Sequence, residues 1–497
     1  MNILLLSMPD SFEHTAPVTM RMPNGALVSL AGNLDPHHRI AVADLIVVQR
    51  QVRATVERLM REIDPDVVGL SIMTFQRGTA RKIAKLVRAL KPSVKIVVGG
   101  YDPSLATEVY EQPSWDVDVI VRGEGDITFR ELVRAMERDA DLRCVAGASI
   151  RTSTGFVRTP DRQVSALAGA DVRLPNRAAR VLSGYTFLGR PIDVVETSRG
   201  CTYDCSFCSI IEMRGRNFHT WSIDRVIADI ADARKRGARA VFIVDDNISL
   251  NVDRFERLCT AIIEAGFDDI DYLVQAMTSS IAARGETLAP LMRRAGFRYV
   301  FLGIENILDE DLGFLRARAK NAQRESGRQV GNATAKAIDV LHRNGMFVVG
   351  GLIVGNPSDT RESIETNLAF ARDYVDWPYI QHPTPYPGTP MTRDFRERCL
   401  IVSDDVDEYD GTTAVVKSEH LDASEIEFIR WRAERWMKLR HFWPVATHSP
   451  LFVLRYAHKM LGHTFRGATW RSLVGLENER DVFARYKEIR RAEREYL

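Results

Sequence analysis

The sequence predicts an α/β protein: a Rossmann-like N-terminal domain, a central partial (β/α)6 barrel and a mainly helical C-terminal region. Three observations predict it. Short apolar runs alternate with amphipathic stretches over residues 1–140. The same alternation returns with a regular beat over 186–395, and beyond 396 the strand signal fades. Parallel strands covered by helices on both faces are apolar throughout, and this pattern has that character.

In the first domain the strand-like runs are "NILLLS", "RIAVADL", "VVGLSI", "KIVVGG" and "VDVIVRG". The helix-like stretches are "QVRATVERLMREI", "TARKIAKLVRAL" and "ITFRELVRAM". In the first of these, Val52, Val56, Leu59, Met60 and Ile63 share one helical face. Ligands of such folds sit at the C-terminal ends of the strands. Residues 141–185 read as a linker, with a hairpin or surface loop at "TSTGFVRTPDRQ". The barrel strands are expected at 192–197, 240–244, 272–276, 299–304, 346–354 and 379–382, with functional loops after each. The segment 396–497 reads as a helical domain rich in arginine and aromatics.

A chain of 497 residues with 45% hydrophobic side chains has ample core, and a net charge of +1 gives no global field to recruit nucleic acid. No nucleic-acid partner is expected. "MNILLLSMPD" reads as a first strand and not as a signal peptide. No apolar stretch approaches the roughly 18 residues that span a bilayer. Six scattered cysteines make no disulfide framework, so a cytoplasmic location is expected.

Three of those cysteines crowd into "RGCTYDCSFCSI": Cys201, Cys205 and Cys208, spaced C-x3-C-x2-C after the first barrel strand. A zinc site usually needs four ligands, and no convincing fourth is present; His219 lies eleven residues on. Three thiolates on a four-iron cluster would leave one iron open to a substrate or cofactor. The alternatives are zinc or three unrelated thiols. Cys144, Cys259 and Cys399 read as ordinary.

This loop after the first strand of a six-unit barrel resembles the radical SAM superfamily, in which the fourth iron of a [4Fe-4S] cluster chelates S-adenosylmethionine (SAM). The resemblance implies that Phe207, the aromatic before the last cysteine, belongs to the SAM site. "GLIVG" (Gly351, Ile353, Gly355) matches the family's G-x-I-x-G, where bare backbone meets adenine; a merely buried strand is the alternative. Asp245, Asp246 and Asn247 end the second strand, where relatives contact SAM, although such residues also favour helix N-caps. Glu305 ends the fourth strand and would bond ribose hydroxyls or pair with an arginine. Arg214 and Arg216 would neutralise a carboxylate or lie in solvent.

An α/β domain ahead of such a barrel is similar to the cobalamin-binding subclass. The loops that match are "VVGLSIMTFQ" (Ser71, Thr74), "VVGGYDPS" (Gly99, Gly100) and "VRGEGDITF" (Gly123, Glu124, Gly125, Thr128). "DPHHRI" lacks the glycine of D-x-H-x-x-G and precedes the second strand, so His37 and His38 read as loop residues. No G-x-G-x-x-G follows the first strand, against a nicotinamide site. The resemblance implies three cofactors: a [4Fe-4S] cluster, SAM and cobalamin. A deoxyadenosyl radical would take hydrogen from an unactivated carbon, and methylcobalamin would supply the methyl group. An electron donor such as flavodoxin or ferredoxin is implied.

The motifs, "PTPYPGTP" included, resemble those of hopanoid C-3 methylases, which implies a small-molecule substrate, with a lipid as the candidate class. Trp431, Trp436, Phe442, Trp443, Phe452, Tyr456, Phe465 and Trp470 interleave with Arg430, Arg432, Arg435, Lys438 and Arg440. Such a segment suits peripheral contact with a membrane. The competing expectation is that the aromatics cap the barrel and the arginines are solvated. The competing functions are oxidation, cyclisation or rearrangement without methyl transfer, and an iron–sulfur redox sensor or scaffold.

Overall fold

The computed structural model describes residues 1–12, 16–164, 166, 167, 169, 171–325 and 328–497. The first sheet contains strands β1 (Asn2–Ser7), β2 (Arg39–Asp44), β3 (Val67–Ser71), β4 (Lys95–Gly99) and β5 (Val119–Val121). Its order is β2-β1-β3-β4-β5, all parallel. The hairpin expected within 141–185 forms β6 (Ala148–Thr152) and β7 (Gly155–Arg158) and extends this sheet antiparallel. The two-residue period of a strand sends neighbours to opposite faces. Leu4 and Leu6 pack against helices Val52–Ile63 and Arg77–Leu90. Ile3 and Leu5 pack against helices Gly25–Asn33 and Gly125–Glu137. All four are fully buried, each stabilising by about 1.5–3 kcal/mol relative to exposure.

The second sheet contains six parallel strands: β8 (Arg190–Val195), β9 (Ala240–Ile243), β10 (Asp271–Met277), β11 (Phe297–Glu305), β12 (Phe347–Ile353) and β13 (Trp377–Gln381). Each pairs with the next in sequence, from β8 to β13. Past β8 the sheet continues antiparallel into Thr186–Phe187 and then Met20–Arg21, a piece of the first domain. Among the described residues β13 does not pair with β8, so the barrel is partial.

Alternation again sorts the side chains. Val241, Ile243, Val274, Val300 and Val348 face the outer helices. Ala240, Leu273, Tyr299 and Phe347 face inward, where Val445, Phe452, Val453 and Met460 plug the barrel at the N-terminal ends of its strands. These come from helices Ala423–His448 and Pro450–Thr464. The expectation of a helical cap therefore matches the packing, but not its arginines: Arg430 and Arg435 are buried. Trp443 and Trp470 are exposed, at 74% and 70%. Among the described residues no helix is long and apolar enough to cross a membrane.

Candidate functional site

The cysteine loop leaves β8 at Val195 and runs to helix Ser209–Arg214. It is pinned from several sides. Ser206 N–H donates to Leu315 O at 3.0 Å, and Met391 N–H donates to Ser206 O at 2.9 Å. Gly200 N–H donates to Asp246 Oδ2 at 2.7 Å. Cys205 is buried, Cys201 and Cys208 are half-buried, and all three thiols are free. Burial pushes Cys205 up to about 11 and Cys208 up to about 12, with neighbouring cysteines adding to the rise. A metal is therefore what would hold these groups as thiolates at neutral pH. Three unbridged thiols on one enclosed loop suit an iron–sulfur cluster.

Lys320 faces the same thiols and carried no signal in the sequence. Its Nζ donates to Glu305 Oε1 at 2.6 Å and lies 6.0 Å from the centre of the Phe207 ring. Burial opposes the charge on Lys320, but Glu305 outweighs it and the pKa rises. Lys320 in turn pulls the Cys205 and Cys208 thiols toward ionisation. Glu305 sits at φ 61°, a left-handed conformation that costs a non-glycine residue energy. Of the sequence's two readings of Glu305, an ion pair is present, with a lysine in place of an arginine.

The second-strand residues divide. Asp245 accepts from Thr197 N–H at 2.6 Å, Thr197 Oγ1 at 2.5 Å and Ser198 Oγ at 2.6 Å, so it braces the start of the cysteine loop and offers no free oxygen. Asp246 holds Gly200 and lines the cavity described below. Asn247 lies with Nδ2 3.9 Å from Cys201 Sγ. In the fifth-strand motif, a Cβ on Gly351 would strike the Phe301 ring at 2.7 Å, and one on Gly355 would strike Ile426 at 2.8 Å. Packing therefore demands both glycines. Gly355 N–H is committed to Asp359, and Ile353 is buried beside Met391 and Phe395.

A cavity of about 460 Å³ lies between the first domain and the barrel. One wall carries Ser71, Gly99, Gly100, Gly123, Glu124 and Gly125. The other carries Glu196, Arg199, Arg214, Trp221 and Asp246. Gly123, at φ 75°, has open space where a Cβ would stand, and a side chain there would project into unfilled volume. Ser71 Oγ accepts from Asn24, whose own Oδ1 caps helix Gly25–Asn33. Two of the predicted residues do not reach the cavity. Thr74 is buried in a turn, and Thr128 is fully enclosed, accepting from Arg162 Nε at 2.8 Å.

Charged pairs seal the edge of this cavity. Arg199 donates to Asp126 at 2.6 Å and to Glu196 at 2.7 Å, and Arg214 pairs with Glu124. Glu124 is thus held across the interface, and Arg214 is buried; Arg216 lies exposed on Thr202 O. His37 and His38 precede β2, at the opposite end of the sheet from these loops. They are not ligands of anything in the cavity.

With this geometry in view, comparison with known proteins decides the family. The radical SAM superfamily model matches residues 195–371, and the B12 binding domain model matches 15–133. The chain belongs to the cobalamin-binding radical SAM proteins. Its cofactors as a member are a [4Fe-4S] cluster, SAM and cobalamin. Three curated relatives of this radical SAM protein illustrate the range. An uncharacterized methyltransferase of Pyrococcus horikoshii is 26% identical, over 86% of this chain and 90% of its own. An anaerobic magnesium-protoporphyrin IX monomethyl ester cyclase of Rubrivivax gelatinosus is 24% identical, over 84% and 74%. The hopanoid C-3 methylase of Methylococcus capsulatus is 27% identical, over 72% and 68%. Among solved structures, the radical SAM methyltransferase TsrM of Kitasatospora setae, with cobalamin and a [4Fe-4S] cluster bound, superposes with a TM-score of 0.63 at 19% identity. That match covers 86% of this chain and 84% of TsrM.

Proposed function

We propose that this protein is a cobalamin-dependent radical SAM methyltransferase acting on an unactivated carbon of a hydrophobic small molecule. The observation that carries the reading is the shared wall. Asp246 both holds the cysteine loop through Gly200 and lines the glycine-rich cavity, so the two cofactor regions adjoin. In this reading Cys201, Cys205 and Cys208 hold the cluster; Phe207, Asn247, Glu305 and Lys320 face SAM; and Ser71, Gly99, Gly100, Gly123 and Gly125 face cobalamin. The bound cofactors supply radical generation and a transferable methyl group. The chain's own part is to orient them and exclude water. Asp245 keeps the loop in register, Lys320 favours thiolates, and Phe301 and Tyr379, packed edge to face at 5.2 Å, furnish an apolar barrel lining. That lining and the hopanoid-methylating relative support a lipid-like substrate.

The test is anaerobic turnover of protein loaded with cluster and cobalamin, given SAM and reductant, with 5′-deoxyadenosine and S-adenosylhomocysteine quantified. Both products are expected, and Cys205→Ala is expected to remove the deoxyadenosine. Deoxyadenosine alone would favour chemistry without methyl transfer, the reading that the cyclase relative supports. Neither product from fully loaded protein, with candidate lipid substrates present, would sink both.

A further inference from the structure

The turn Asp35–His38 precedes β2 and packs on the last turn of helix Gly125–Glu137. It is fixed there before any ligand arrives. Arg134 grips Asp35 with two hydrogen bonds of 2.6 and 2.7 Å, and Arg173 NηH lies 3.5 Å from the same carboxylate. With Asp35 committed, three other groups converge. His37 Nε2 lies 2.8 Å from Glu137 Oε1, and His38 Nδ1 lies 3.8 Å from the same oxygen. One ligand atom from each of the three residues lies within 4.8 Å of the others. Zinc bonds of about 2.0–2.2 Å in a tetrahedron separate ligand atoms by about 3.4 Å. The observed distances bracket that value.

His38 is under-used as a polar group. Its side chain has no exposed surface, Nε2 has no partner among the described residues, and Nδ1 otherwise meets only the Met1 nitrogen, at 3.2 Å. A metal at Nδ1 would take the place of that Met1 contact on the atom that faces Glu137. The His37 side chain is 59% exposed, so the fourth position opens to water.

We propose that His37, His38 and Glu137 bind a divalent transition metal ion, zinc by preference. The ion ties the turn before β2 to the end of the helix whose start lines the cavity. This site is separate from the cysteine loop, and its test does not depend on turnover. Full-length protein carrying its iron–sulfur cluster is dialysed anaerobically against micromolar zinc, and zinc and iron per chain are counted. One zinc per chain is expected in the wild type and none in His37→Ala, whose ring is exposed. Glu137→Gln, which keeps the shape, is expected to weaken binding at least tenfold. Iron should be equal in all three, which excludes zinc in an emptied cluster loop. Zinc should also raise the wild-type melting temperature and leave that of His37→Ala unmoved. Zinc retained in full by His37→Ala, or no zinc bound by the wild type, overturns the proposal.

Discussion

Two charges are enclosed where the barrel mouth meets the thiols, and neither is stable there without the other. Lys320 Nζ and Glu305 Oε1 are 2.6 Å apart, with 15% and 11% of their side chains exposed. Removing one member of such a pair costs about 3–5 kcal/mol, because the survivor is left buried and unpaired. Lys320→Met is expected to lose that much in denaturant unfolding. Lys320→Met with Glu305→Gln should recover most of it, yet still form little deoxyadenosine. A double variant no more stable than the single would show that Glu305 is not stranded. This pair marks the limit of the sequence at this scale. Cys201, Cys205 and Cys208 are legible because three thiols in eight positions are their own signal. Lys320 is brought back from fifteen residues beyond Glu305 by a segment with no motif. Thr128 misleads for the converse reason: its hydroxyl is taken by Arg162, 34 residues away, a partner no local pattern reveals.

Helix Ala423–His448 is legible as a helix, but not as one buried around much of its circumference. Its arginines suggest a solvated face, and Arg430 instead lies 2% exposed inside a polar network. Its Nε donates to His382 Nε2 at 3.0 Å, and its other nitrogens reach Glu434 and Thr412 O. His382 Nδ1 meets Val354 O at 3.1 Å, joining the ends of β12 and β13 to the C-terminal helix. Burial pushes the His382 pKa down to about 3, and the Arg430 charge adds to the fall. The unfolded chain takes up this proton near pH 6.5 while the native chain refuses it. Stability is therefore complete above pH 6.5 and falls, by up to about 1.4 kcal/mol per pH unit, as pH drops toward 3. Burial lowers the pKa of His38, His441 and His463 as well, in the same sense. Unfolding midpoints in urea should decline from pH 7 to 5.5, and less steeply in His382→Asn. An unchanged slope in that variant would assign the acid sensitivity to the other imidazoles.

At the scale of the whole chain, the sequence shows two α/β units but not the surface on which they meet. The reason is physical: the surface is built from ion pairs and backbone crossings between distant segments, which leave no periodicity. Met20–Arg21 adds to the second sheet, Gly78 N–H donates to Asp407 at 2.9 Å, and Arg177 and Arg180 of the connector pair with Asp193 of β8. Arg199 is the centre of the contact beside the cavity. Burial opposes the charge of Asp126, but Arg199 outweighs it and lowers its pKa; the Arg199 pKa is raised in return by Glu196 and Asp126 against its own burial. Replacing Arg199 with Gln removes the cation and leaves both carboxylates enclosed, so the interface should open before either domain unfolds. Hydrogen exchange is the measurement, since opening free energy differs between parts of one structure. Faster exchange is expected together at 123–130 and 198–214, on the two sides of the cavity, with the outer barrel helices unchanged. Cobalamin affinity should fall in parallel, because each side supplies one wall. Exchange that rises on one side alone would mean that Arg199 orders its own loop and does not hold the domains together.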